Sequence, residues 1–330
     1  MMKKFLAALL LLSMALAGCG AEKQPEAAAA PAGPTRVAAL KGPTAIGMVK
    51  MMDTYKGQPG IYTFDLYTGA DEIVPLLVKG EADIALVPAN VAATLYQKTE
   101  GQVRVIGVNT LSVLEFVTAD TAVQSVAGLK GKKVYMTGKG TTPEYALRYV
   151  LEKNGLSMDD MQIDFKSEAS EVVAALTQDA SAVGLLPQPF ATVATTQNDT
   201  LQIVMHLGDE WDKVAQDGSH LVTGVTVSRM GFEPMAMDAF LNDHAESAQF
   251  VKGHPDEAAP LVEESGIVKA PVAQKAIPNC GIVSLKGEEM KQALQGYLEA
   301  LYEMSPEAVG GALPDDNFYA VDTLDFVNKK

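Results

Sequence analysis

Two short segments carry the residue types that recognise an anion. Lys41-Gly42-Pro43-Thr44 and Lys139-Gly140-Thr141-Thr142 each set a cation, a glycine and a hydroxyl just ahead of a stretch with helical spacing. Glycine lets the backbone approach a ligand closely. A helix start offers unpaired N–H groups and a partial positive charge, and threonine adds a hydroxyl donor. A plainer reading makes Thr44 and Thr142 helix N-caps beside the turn-forming Pro43 and Pro143. Recurrence favours a ligand, because a cleft between two facing units would bring both segments to one molecule. The candidate binding residues are Lys41, Gly42, Thr44, Ala45, Lys139, Gly140, Thr141 and Thr142. To these are added Tyr67, Gly69, Asn90, Asn109, Gln188 and Phe190, which stand near the ends of strand-like runs. Lys41, Lys139 and the helix starts favour a small organic anion, whereas Tyr62, Tyr67 and Phe190 would suit a flat heterocycle.

No catalytic constellation accompanies them. The 138–143 loop lacks the third glycine of G-x-G-x-x-G, and the 41–44 loop lacks the rest of a P-loop. There is no G-x-S-x-G elbow, and no Ser or Cys stands out as a partner for His206 or His220. Two cysteines and four histidines give no metal-ligand spacing. The sequence thus predicts a binding protein rather than an enzyme, with no cofactor and no metal. Lys and Arg total 26 against 41 Asp and Glu, a net charge of −15. So acidic a chain argues against nucleic acid, which needs clustered basic residues.

The elements that must position these residues alternate strand and helix. Strand-like runs are expected at 36–40, 61–67, 82–87, 103–108, 134–136, 163–165 and 182–186, with helical stretches between them. This pattern predicts an α/β chain of mostly parallel sheets flanked by helices. The halves look duplicated: Lys139 follows Lys41 by 98 positions, Ala169 follows Ala70 by 99, and Val183 follows Ile84 by 99. With 330 residues, two lobes are expected. One comprises 35–118 plus 226–330 and the other 119–225, with crossings near 118–120 and 223–227. Met290, Leu294, Tyr297, Leu298 and Leu301 form an apolar stripe on a late helix, read as core.

The N-terminus reads as an address. Lys3 and Lys4 precede an apolar run at 5–17, too short to remain as a spanning helix. Leu16-Ala17-Gly18-Cys19 follows, resembling a bacterial lipobox in which cleavage exposes a cysteine that takes lipid. Residues 1–18 are therefore expected to be a lipoprotein signal peptide. Cys19 is the lipidation site, and 19–34 form an Ala-, Pro- and Glu-rich tether. Cys280 is then unpaired and reads as a small buried hydrophobe.

Four segments carry a family resemblance: the lipobox with its tether, Gly80-Glu81-Ala82-Asp83-Ile84-Ala85, Leu129-Lys130-Gly131-Lys132-Lys133-Val134, and Leu313-Pro314-Asp315-Asp316-Asn317-Phe318-Tyr319. From about residue 35 onward the chain resembles solute-binding lipoproteins of ABC importers. The branch is that of sulfonate-, taurine-, nitrate- and thiamine-precursor-binding proteins. The resemblance implies a type II periplasmic-binding-protein-like fold with the ligand held between two hinged lobes. It also implies a monomer that hands a small molecule to an ABC permease and its ATPase, exported and lipid-anchored at the cell membrane. Where many relatives carry an aromatic–acid–Pro segment, this chain has Pro187-Gln188-Pro189-Phe190, and Gln188 points to neutral hydrogen bonding. Two other readings share the fold. One is an enzyme of the menaquinone-pathway or pyrimidine-synthase type; the other is a ligand-sensing module that docks on a membrane receptor.

Overall fold

The structure, a computed structural model, describes residues 33–215 and 219–321. The expected signal peptide, Cys19 and most of the tether lie outside the described residues. Strands and helices alternate through the first half: β1 (Thr35–Leu40), α1 (Pro43–Ile46), α2 (Val49–Tyr55), β2 (Tyr62–Tyr67), α3 (Ala70–Lys79), β3 (Ile84–Pro88), α4 (Ala89–Lys98), β4 (Val103–Leu111) and β5 (Leu114–Thr118). The pattern repeats in β6 (Lys133–Met136), α5 (Thr142–Lys153), β7 (Gln162–Phe165), α6 (Ala169–Gln178), β8 (Val183–Pro187), α7 (Phe190–Gln197), β9 (Gln202–His206) and α8 (Leu207–Val214). The chain closes with β10 (Val222–Arg229), α9 (Pro234–Gly253), α10 (Pro255–Glu264), α11 (Ala270–Ala276), β11 (Ile282–Leu285) and α12 (Gly287–Met304).

These strands make two sheets, of order β11-β4-β10-β3-β1-β2 and β7-β6-β8-β5-β9. The order β2-β1-β3-β10-β4 in one matches β7-β6-β8-β5-β9 in the other, strand for strand. In each sheet the fourth place is taken by a strand adjoining a crossing between sheets. Both sheets are mixed rather than mostly parallel. β1 runs parallel to β2 and β3, and β6 to β7 and β8. β10 is antiparallel to β3 and β4, and β5 to β8 and β9. Parallel neighbours need a long crossover, usually helical. β5 instead follows directly from β4 of the other sheet and β10 arrives from the five-stranded side after α8, and each inserts in the opposite sense. The chain leaves the six-stranded sheet after Leu111 and re-enters it at Val222. β5 therefore pairs within the five-stranded sheet, although residues 114–118 were expected with the first lobe.

Named motifs turn out to be staples. Asp83 is buried at the entry to β3 and takes hydrogen bonds from the Arg36 backbone N–H (3.0 Å), Arg36 Nε (2.8 Å) and Arg229 Nε (2.8 Å). One carboxylate thus ties β1, β3 and β10. In the second segment Gly131, at φ 75°, donates to the Asp160 carbonyl at 2.7 Å, while Lys132 pairs with Asp120 at 2.5 Å. In the closing segment Asp315 accepts from Tyr96 at 2.6 Å, and Phe318 packs edge-on against the Tyr96 ring. The Ala320 N–H then donates to Val105 on β4. Met290, Leu294, Tyr297, Leu298 and Leu301 are all buried, and α12 packs on β4, α4 and α5. Cys280 is fully buried and its thiol, pushed up to about 12 by burial, donates to the Ala276 carbonyl.

Candidate functional site

A cleft of about 620 Å³ is lined from both sheets by the loops that follow their parallel strands. From the six-stranded side come Lys41, Gly42 and Thr44 after β1, Thr68, Gly69 and Asp71 after β2, and Pro88 at the end of β3. From the five-stranded side come Thr137, Gly138, Lys139 and Thr141 after β6, Lys166 to Ser170 after β7, and Pro187 and Phe190 after β8. Val113, Leu114 and Thr223, beside the two crossings, also line it, as do Gly266 and Ile267 between α10 and α11. This is the expected place in an α/β sheet: strand carboxyl ends, where loops lead into helix starts. Its size suits a small metabolite.

The charges at the rim divide unevenly. Lys41, Lys139 and Lys166 face two carboxylates, Asp71 and Glu168. Lys166 pairs with Asp164 at 3.0 Å, and Lys139 lies over the Phe165 ring at 5.9 Å. The helix starts are not capped as the plainer reading had it. Thr142 is already inside α5, and the N-cap Thr141 spends its hydroxyl on the Gly138 carbonyl at 2.9 Å. The Thr44 hydroxyl donates to the Leu40 carbonyl at 2.9 Å. Glutamates in the first turn serve the preceding N–H groups instead. Glu72 accepts from Thr68 and Gly69, Glu144 from Gly140, and Glu171 from Ser167. The Gly69 and Thr68 bonds hold the Glu72 carboxyl below its ordinary range.

Eight of the fourteen candidate residues line the cleft: Lys41, Gly42, Thr44, Gly69, Lys139, Thr141, Thr142 and Phe190. The other six do not. Ala45 is fully buried in the core. Tyr67 packs against the core, and its neighbour Thr68 lines the cleft in its place. Gly140 gives its N–H to Glu144 and its carbonyl to Asn90. Asn109 is buried and bonded to Thr226 and Thr110. Gln188 is buried beside Glu115 with its Oε1 held by Thr192, and it is not among the residues lining the cleft. Asn90 is buried and bonded to the 140–142 loop. Tyr62 is likewise internal, donating to Asp243 at 2.7 Å, so Phe190 is the one aromatic among the lining residues. A strand end presents alternate residues to opposite sides, and the sequence does not say which side is open.

Thr223 was missed. It lines the cleft, and its buried Oγ1 has no hydrogen-bond partner. Thr137, Lys166, Ser167 and Ser170 were missed too, although the 99-residue repeat could have found the last three opposite 67, 68 and 71. Among the described residues no group of three or more His, Cys, Asp and Glu could hold a metal ion. No described helix is long and apolar enough to cross a membrane.

Residues 57–210 match the family of periplasmic substrate-binding proteins of phosphonate ABC transporters. Among solved structures, an ABC transporter protein from Parabacteroides distasonis is 27% identical, with a TM-score of 0.72 over 86% of this chain and 97% of that one. The aliphatic sulphonate binding protein of Escherichia coli superposes at a TM-score of 0.67, 15% identical, over 84% of this chain and 90% of its own. The alkanesulfonate-binding protein of Xanthomonas axonopodis gives the same score at 14% identity, over 87% and 96%. A binding protein of Brucella abortus is 33% identical over 81 residues, 24% of this chain and only 25% of its own length. The fold is that of the periplasmic substrate-binding proteins, and two of these neighbours are named as binding proteins.

Proposed function

We propose that this chain, with the fold of the ABC-transporter substrate-binding proteins, captures a small organic oxyanion outside the cytoplasm and delivers it to a membrane permease with its ATPase. The observation that carries this reading is the cleft, where lysines and hydroxyls from both sheets converge on one metabolite-sized space. The phosphonate-binding family that residues 57–210 match and the sulphonate-binding structural neighbour support that ligand class. The sheets are the cores of two hinged lobes. We set the lobe boundaries at the sheet changes after Leu111 and before Val222 rather than at 118 and 225, a choice the strand pairing supports. Cys19 carries the lipid that holds the protein to its membrane.

Thermal-shift screening of the mature protein against alkylphosphonates, alkanesulfonates and flat uncharged heterocycles tests the ligand class. A true ligand at 100 times its Kd adds about 2.7 kcal/mol of stability. Stabilisation by the heterocycles alone would overturn the oxyanion reading. Lys139→Gln should weaken oxyanion binding at low salt, and the penalty should shrink as salt screens the exposed charge. For the anchor, Cys19→Ala should release the protein from membranes or leave an uncleaved precursor. Unchanged size and membrane partition would count against lipidation.

A further inference from the structure

We propose that Asn90 and Tyr297 form a latch that pins the 138–142 loop across the cleft and sets how far the two lobes stand open, an inference that rests on the hinged reading above. Asn90 begins α4 on the six-stranded side and is 2% exposed. Its Nδ2 donates across to the Gly140 carbonyl at 3.3 Å and, on its own side, to Ala308 at 3.4 Å. Its Oδ1 accepts from the Thr142 hydroxyl at 3.3 Å. Thr142 in turn accepts from the Tyr297 hydroxyl of α12 at 3.3 Å. Both helices of the six-stranded side therefore hold one loop of the five-stranded side.

The geometry suits a latch rather than a permanent weld. Each bond is neutral and longer than the usual 2.8–3.0 Å, so none is costly to part. The bonds to Ala308, between Thr142 and Asn90, and between Tyr297 and Thr142 are buried, so parting them must admit water or leave polar groups unsatisfied, while the Asn90–Gly140 bond is part-buried and already within reach of water. The same loop presents Gly138, Lys139 and Thr141 to the cleft, so the latch and a bound solute act on one segment. Thr142, expected to donate to a ligand, gives its hydroxyl to this network instead.

The protein carries its own reporter. Its single tryptophan, Trp211 of α8, is fully buried between Tyr149 of α5 (4.1 Å, stacked) and Tyr297 (5.3 Å). Opening at this seam parts α12 from α5 and α8 and lets a quencher reach the indole.

The test needs no ligand. Acrylamide quenching of Trp211 and the small-angle scattering radius are measured on the ligand-free mature protein and on Asn90→Ala and Tyr297→Phe, well below melting. Each lost bond should shift the open-to-closed ratio by about two- to tenfold towards open. Asn90→Ala should therefore quench more readily and scatter as a larger particle. Tyr297→Phe, which keeps its ring, should enlarge the radius less and stands in if Asn90→Ala fails to fold. A lower melting temperature with unchanged quenching and radius would make the network merely structural and overturn the latch. Adding ethanesulfonate or methylphosphonate to wild type tests the other reading separately: a stabilising ligand that never compacts wild type sinks hinged closure itself.

Discussion

Replacing Asp83 with asparagine is expected to cost about 3 kcal/mol of folding stability, the lower end of the range for breaking a buried ion pair. The carboxylate is 5% exposed and holds Arg36 and Arg229 at 2.8 Å each. Burial pushes its pKa up, but the hydrogen bonds from the two arginines, with the charge of Arg36, outweigh burial and hold it below the ordinary value. The arginines are 39% and 31% exposed, so water partly compensates them once the partner is gone, which sets the lower end. The loss should appear as a lower denaturant midpoint with an unchanged slope. Because the folded pKa is depressed, this stability is present above the unfolded pKa and disappears as pH falls through the folded one. Equal midpoints for wild type and Asp83→Asn would show that the clasp contributes nothing.

His244 should make the protein acid-sensitive in a different window. It is buried on α9, stacked on Phe240 at 5.9 Å, and its Nε2 has no hydrogen-bond partner. Burial lowers its pKa from 6.5 to about 4. Between those values the unfolded chain takes a proton that the folded one refuses. Stability contributed here is full above pH 6.5 and falls as pH drops, by about 3 kcal/mol in total for a shift of this size. In the window from 6.5 to 5 Asp83 stays charged, and comparison with a variant separates His244 from the buried Glu115, whose carboxyl burial holds above its ordinary value. His244→Leu, similar in volume and free of the titration, should flatten the pH dependence in that window. Its effect at pH 7.5 should be small, since the orphaned ring nitrogen is removed with the ring. A wild type and a His244→Leu variant that lose stability in parallel from pH 7 to 5 would contradict this account.

Much of the architecture is legible in the residues. The apolar runs at β1, β3, β6 and β8 are nearly continuous, as buried parallel strands must be. The late amphipathic stripe could only be core. The recurrence at 98–99 positions foretold that two similar units would present equivalent loops, and the lysine–glycine loops do face one cleft. These features are local or periodic, so hydrophobic burial and backbone chemistry dictate them wherever the chain lies in space.

Tertiary structure decided the rest. Nothing in the runs 114–118 and 222–229 tells an inserted antiparallel strand from a parallel one, because side-chain alternation is the same in both. Only the route between sheets set their sense and moved β5 to the second sheet. Asp83 looked like part of a family signature; folding made it a clamp by bringing Arg36 and Arg229 to it from 47 and 146 residues away. Thr142, Asn90 and Gln188 have the chemistry of ligand donors, yet each found a protein partner first. Thr223 had no local signal and stands at the cleft because β10 re-enters the sheet there. Residue type determined which groups can bind. Which of them are left facing solvent is a property of long-range packing, where most buried polar groups find partners within the protein and few are spared for a ligand.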